Sequence, residues 1–147
     1  MRTCFELLSL AAAIDRDCAV RLGEHDLSEG KFVLLFLLDD AKDGLSPHEL
    51  AERAGVTRGT VTGLLDGLER SGFVRRSAND VDRRKLTVRL TASGAALARR
   101  VTDEHGRWIG TLFSDLTEAE RDTVQQLLTK VFARTVAGTR QAGSDGR

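Results

Sequence analysis

Apolar residues recur at helical spacing from Cys4 to Leu22, with Cys4, Leu7, Ala11, Ile14, Cys18 and Leu22 on one stripe and Phe5, Leu8, Ala12 and Ala19 beside it. That is a broad apolar surface for one helix. Gly23 interrupts the pattern, and Ser28 stands where it can cap a short, nearly all-apolar helix ending near Asp40, which is expected to be buried. Ser46-Pro47-His48-Glu49 then reads as a helix start: a serine cap, proline at the first helical position and glutamate placed to close a capping box. Gly55 stops that helix after about two turns. Thr57 caps the next one, whose inward positions are Val61, Leu64, Leu65 and Leu68 and whose end is Ser71-Gly72. Two short helices joined by a tight glycine-containing turn make a helix-turn-helix.

After Gly72 the period becomes two. Phe73-Val74-Arg75-Arg76 reads as one short strand and Lys85 to Leu90 as another, with Leu86, Val88 and Leu90 on one face and Lys85, Thr87 and Arg89 on the other. Ser77 to Asp82 is polar and carries Asn79-Asp80, so the pair predicts a hairpin with a long charged tip. Thr91 caps a long helix with Leu97, Val101, Trp108 and Leu112 at helical spacing. Thr117-Glu118-Ala119-Glu120 is a second capping box, opening a last helix with Val124, Leu127, Leu128, Val131 and Phe132 on its apolar side. The expected fold class is mainly α with a small β-hairpin wing. It divides into N-terminal helices over 1–40, a winged helix-turn-helix over 41–91, C-terminal helices over 92–137 and a disordered tail over 138–147.

Leu50 to Gly94, reading LAERAGVTRGTVTGLLDGLERSGFVRRSANDVDRRKLTVRLTASG, resembles the core of the MarR family of bacterial regulators. Its most specific part is Asp82-Arg83-Arg84 followed after five residues by Leu90-Thr91, which is similar to that family's wing pattern. The resemblance implies a homodimeric DNA-binding transcription factor, a repressor released by an effector such as a small aromatic acid. It gives the wing-tip contact to Arg84, oriented by Asp82, with Arg83 sharing the work.

The residues support the same chemistry on their own terms. If Val61, Leu64, Leu65 and Leu68 face the core, then Arg58, Gly59, Thr62 and Gly63 face outward, with Thr60 at the margin. Arg58 can reach a guanine edge, and Thr60 and Thr62 can bond phosphate or base. Gly59 and Gly63 either admit a close backbone approach or merely relax a short helix. At the wing, a guanidinium can reach a phosphate or the narrow minor groove, though a solvated salt bridge is the bland alternative. His48 can touch a phosphate or be an idle exposed histidine.

The 147 residues carry zero formal net charge, so distribution matters more than the total. From Thr57 to Arg89 there are eight cations, Arg58, Arg70, Arg75, Arg76, Arg83, Arg84, Lys85 and Arg89, against four anions, Asp66, Glu69, Asp80 and Asp82. An excess of +4 is what a DNA-facing segment should show, although a merely solvated charged face gives the same count. With 41% hydrophobic residues the chain can build a core without disulfides or metals. Its longest apolar stretch, Phe32 to Leu38, falls far short of the roughly 20 residues needed to cross a bilayer, and no leader pattern opens the chain, so a cytoplasmic protein is expected.

Cys4 and Cys18 are the two cysteines. On a continuous helix they lie about 21 Å apart, which excludes a disulfide between them. His25 and His105 have no partner at metal-ligand spacing, and no nucleophile with a paired base or phosphate loop is visible. No metal, cofactor or enzymatic activity is therefore expected, with a site assembled in space from Cys4, Cys18 and these histidines as the lesser alternative. Two rivals remain: a DNA-binding structural protein without an effector, and an enzyme with a cryptic site between the terminal helices. Cys4 is the candidate redox residue, because Cys4-Phe5 resembles the start of the hydroperoxide-sensing branch of the family. That branch surrounds its thiolate with tyrosine hydroxyls, whereas this chain has no tyrosine, and Leu8 and Phe32 stand where hydroxyls are expected. The favoured reading is a small apolar residue in the dimer core.

Overall fold

The computed structural model describes residues 1–78 and 86–135. Six helices and one antiparallel hairpin appear among them: α1 (Arg2–Gly23), α2 (Glu29–Asp40), α3 (Pro47–Ala54), α4 (Arg58–Arg70), β1 (Val74–Ala78), β2 (Leu86–Leu90), α5 (Ala92–Leu112) and α6 (Glu118–Phe132). The chain divides into two compact units, residues 1–106 and residues 107–147. The wing tip with Asp82, Arg83, Arg84 and Lys85, and the tail expected over 138–147, lie outside the described residues.

Local hydrogen bonds explain why the helices start where the sequence says. Ser28, Ser46, Thr57 and Thr117 each accept a backbone N–H from three residues ahead, satisfying a donor the helix cannot pair itself. Thr91 does the same for Gly94 at 3.0 Å. At Ser46 and Thr117 the box is closed, since Glu49 and Glu120 each accept from the cap's own backbone N–H at 2.8 Å.

These bonds, the backbone one first and the hydroxyl one second, hold both carboxyls below the usual carboxylate range. A lowered folded value stabilises the fold above the ordinary carboxylate pKa, and the stabilisation disappears as pH falls through the lowered value. Thermal melts are therefore expected to show a loss as pH falls below the ordinary carboxylate range that is smaller in a Ser46→Ala/Thr117→Ala double variant. An identical acid loss in both proteins would place it elsewhere.

Both helices of the helix-turn-helix end in Schellman closures. Val56 donates to the Ala51 carbonyl at 3.1 Å with Gly55 at φ 67°, and Phe73 donates to Leu68 at 2.9 Å with Gly72 at φ 75°. Phe73 thus belongs to the helix exit and not to the strand, which begins at Val74 and runs on to Ala78. The register pairs Val74 with Leu90, Arg76 with Val88 and Ala78 with Leu86.

The core of the first unit joins Leu34, Leu35 and Leu38 of α2, Leu50 of α3, Val61, Leu65 and Leu68 of α4, Val74 and Val88 of the hairpin, and Leu97, Ala98 and Val101 of α5. Two burial expectations change. Helix α2 is not buried all round, because Phe36 on its outer side is 50% exposed. In β2 the expected faces do not hold, since Leu86 is exposed while Thr87 is only 4% exposed. The cause is a third strand segment, one residue long. Leu45 bridges Val88 through N–H···O bonds of 3.0 and 2.8 Å, and Gly44 beside it sits so close that a side chain there would meet Thr87 Cγ2 at 2.8 Å.

Helix α1 is continuous and both cysteines are free. Only Leu22 of its apolar stripe is buried, whereas Phe5, Leu8, Leu10 and Val20 are exposed. In the second unit, Leu127, Leu128, Val131 and Phe132 of α6 are likewise exposed.

Candidate nucleic-acid interface

Helix α4 separates its residues cleanly. Val61, Leu65 and Leu68 are buried and Leu64 half-buried, while Arg58, Gly59, Thr60, Thr62 and Gly63 all face solvent. A Cβ added at Gly63 would meet nothing within 4 Å, and one at Gly59 only Thr57 Oγ1 at 3.8 Å. The five candidate residues therefore share one exposed surface over the first two turns.

Their polar atoms are not equally available. Thr62 Oγ1 donates to the Arg58 carbonyl at 2.9 Å, so its proton must leave that bond to reach a phosphate oxygen, although its lone pairs can still accept. Thr60 Oγ1 lies 2.9 Å from Thr57 Oγ1, one hydroxyl donating to the other. Arg58 Nη2 donates to His48 Nδ1 at 3.0 Å.

Sequence reasoning missed how the hairpin is fastened to α4. In the sequence Arg76 is only one more cation. Its Nη2 donates to Asp66 Oδ1 at 2.5 Å, and its backbone N–H donates to Glu69 Oε1 at 3.1 Å. Arg76 therefore spends its charge on two α4 carboxylates, and a cation so paired has little left for a phosphate. Arg75 and Arg70 remain exposed. The signal was present, as Asp66 and Glu69 stand three apart on the outer side of α4, but using it required knowing where β1 would lie. The wing contacts expected of Asp82, Arg83 and Arg84 lie outside the described residues.

A second polar cluster in the first unit brings together residues that the sequence kept apart. Cys18 Sγ lies 3.6 Å from His105 Nε2, with the Phe32 ring 5.2 Å from the His105 ring, and His25 Nε2 is 2.7 Å from Glu104 Oε2. Burial, then Glu29 and Asp15, pushes the Cys18 thiol up, while burial and Arg21 push His105 down. Both shifts favour the neutral forms, a thiol beside an imidazole and not a reactive thiolate. Cys4 is exposed at the far end of α1 and takes no part. Among the described residues no three His, Cys, Asp or Glu side chains are grouped to hold a metal, and no helix is long and apolar enough to cross a membrane.

The model of the MarR family matches residues 27–86. The HTH-type transcriptional repressor YetL of Bacillus subtilis is 45% identical over 74% of this chain, a stretch spanning 65% of YetL's own length and so less than two thirds of it. The HTH-type transcriptional regulator PecS of Dickeya dadantii is 31% identical over 85% of this chain and 76% of its own. Among solved structures, the Staphylococcus aureus MepR–DNA complex superposes with a TM-score of 0.79 at 26% identity, covering 90% of this chain and 97% of that one.

Proposed function

The chain belongs to the MarR family, and from that premise we propose that it is a sequence-specific, double-stranded-DNA-binding transcriptional regulator, a repressor that a small-molecule effector releases. The observation that carries this reading is the exposed face of α4, where Arg58, Gly59, Thr60, Thr62 and Gly63 stand outward on a helix anchored by Val61, Leu65 and Leu68. A recognition helix needs that division, because its apolar side must fix it to the scaffold while its first turns enter the major groove. The similarity to YetL, a transcriptional repressor, and to MepR in complex with DNA favours it.

In this reading the working form is a homodimer acting in the cytoplasm, where the DNA is. Two α4 helices related by two-fold symmetry meet successive major grooves, so the operator is an inverted repeat with half-sites about 10 bp apart. Residues 1–40 and 92–137 supply the dimer seam, and Cys4, among Phe5 and Leu8, belongs to that seam as a small apolar side chain. A small aromatic acid is the effector class, and its addition to the protein–DNA complex is expected to release the duplex.

Selection from a random-sequence duplex pool tests the central reading, with an inverted repeat as the expected product. A pool that stays random would overturn it. For the wing, Arg84→Ala is expected to lower operator affinity about tenfold or more at roughly 0.15 M salt, while the dimer stays folded. Unchanged affinity would remove Arg84, and the orienting role of Asp82 with it, from the interface.

A further inference from the structure

His48 occupies the first turn of α3 and Arg58 opens α4, so the turn between the two helices brings them face to face. Arg58 Nη2 lies 3.0 Å from His48 Nδ1, and His48 Nε2 lies 3.5 Å from Glu52 Oε1, one helical turn further along α3. A guanidinium only donates and a carboxylate only accepts. The two neighbours therefore settle the tautomer, with Nδ1 accepting from Arg58 and the proton on Nε2 directed at Glu52.

We infer that His48 is a positioning residue for Arg58, setting the direction of the guanidinium with which α4 reads a base pair. The inference rests on the reading of Arg58 as a base-edge contact. Its physical ground is the contrast with Arg76. That side chain is held by the carboxylates of Asp66 and Glu69, which orient it and also cancel its charge. Arg58 is held instead through an uncharged ring, and Glu52 acts on it only at second hand. An uncharged acceptor fixes direction and leaves the positive charge in place. The contact uses one of the five guanidinium N–H groups, so a bidentate pair of donors remains for guanine O6 and N7. An unrestrained arginine loses rotamer freedom when it docks, and one already aimed loses less.

The imidazole does this without touching DNA, which separates it from a phosphate ligand. A phosphate contact raises affinity for every sequence alike, whereas an aimed Arg58 raises it only where the matching base pair is present. His48 is exposed, so its replacement leaves the core intact. Asparagine is the conservative substitute, because its side-chain carbonyl oxygen stands close to where Nδ1 stands and can accept the same bond.

The experiment uses the full-length protein, a duplex that the wild type selects from a random pool, and that duplex's single-base-pair variants. Arg58→Ala is expected to relax discrimination about tenfold at one position per half-site. His48→Ala is expected to relax the same position roughly fivefold, the worth of one net hydrogen bond, and His48→Asn to restore it. The Arg58→Ala/His48→Ala double variant is expected to match Arg58→Ala alone, since the imidazole acts only through the arginine. Should His48→Ala weaken all duplexes equally, or change none while Arg58→Ala relaxes its position, the inference fails and the reading of Arg58 stands. Should Arg58→Ala relax no position, both fall together.

Discussion

Gly94→Ala is expected to destabilise the fold by about 3 kcal/mol or more, at the severe end of what overpacking does. A Cβ built at Gly94 falls 1.8 Å from the Phe73 carbonyl oxygen and 2.8 Å from the carbonyl carbon. Both are backbone atoms, so no side-chain rotation relieves the contact. Nor is the α4 exit free to retreat. Phe73 N–H closes the α4 exit on Leu68, Thr91 N–H donates to the Phe73 carbonyl at 3.0 Å, and Thr91 Oγ1 donates to the Gly72 carbonyl at 2.7 Å. Moving α5 away breaks the last two bonds, and moving Phe73 opens the closure that ends α4.

Urea unfolding of Gly94→Ala should show a lowered midpoint at unchanged slope. Gly63→Ala is the matched control, because a Cβ there meets nothing within 4 Å and alanine in a helix interior is favoured by about 0.5–1 kcal/mol. Wild-type stability in Gly94→Ala would mean that α5 slides freely past the strand. Gly63→Ala also decides what that glycine is for. Higher stability with unchanged DNA affinity makes it a relaxed helix position, whereas higher stability with weakened binding makes it a point of close DNA approach.

The knot at Gly72, Phe73, Thr91 and Gly94 shows where the sequence was legible and where it was not. Thr91 was readable as a helix cap because capping is a bond between residues three apart, and Ser28, Ser46, Thr57 and Thr117 were readable for the same reason. The exposed face of α4 was readable too, since helical periodicity alone decides which side of α4 Arg58 and Gly63 occupy once Val61, Leu65 and Leu68 are assigned inward.

What the chain order does not disclose is which distant groups meet. That Thr91 also holds Gly72, that Arg76 lies along Asp66 and Glu69, and that His48 faces Arg58 depends on how the hairpin and helices pack. The burial of Thr87 was missed because its cover, Gly44-Leu45, joins β2 across more than forty residues as a single bridged pair with no strand pattern of its own. In each case a local rule was right about the residue's secondary structure and silent about its neighbour.

Leu128→Glu is expected to convert the protein to a monomer at micromolar concentration and to lower operator affinity about 100-fold or more. Helix α6 has a complete capping box at its start and yet holds no buried residue. Fifteen residues are marginal as an isolated helix in water, so α6 needs a cover for the face formed by Leu127, Leu128, Val131 and Phe132. Ile109 of α5 and Phe113 just past its end line an open groove with Val124 and Leu128, which leaves that face only partly covered within its own unit. Helix α1 in the other unit has the same surplus at Phe5, Leu8 and Leu10.

A second copy covering such faces gains about 1.5–3 kcal/mol for each large side chain fully buried, enough for a stable dimer from a handful of residues. A glutamate at 128 brings two carboxylates into that seam by symmetry, each with a desolvation cost of several kcal/mol and no partner. Operator affinity falls with the dimer, because the second recognition helix then binds from bulk solution and no longer at the roughly millimolar effective concentration that linkage provides. Sedimentation and a gel shift read the two effects, with Gln126→Glu, also exposed on α6, as the charge control. A Leu128→Glu protein that sediments as a dimer and binds its duplex like the wild type would show that α6 lies outside the seam.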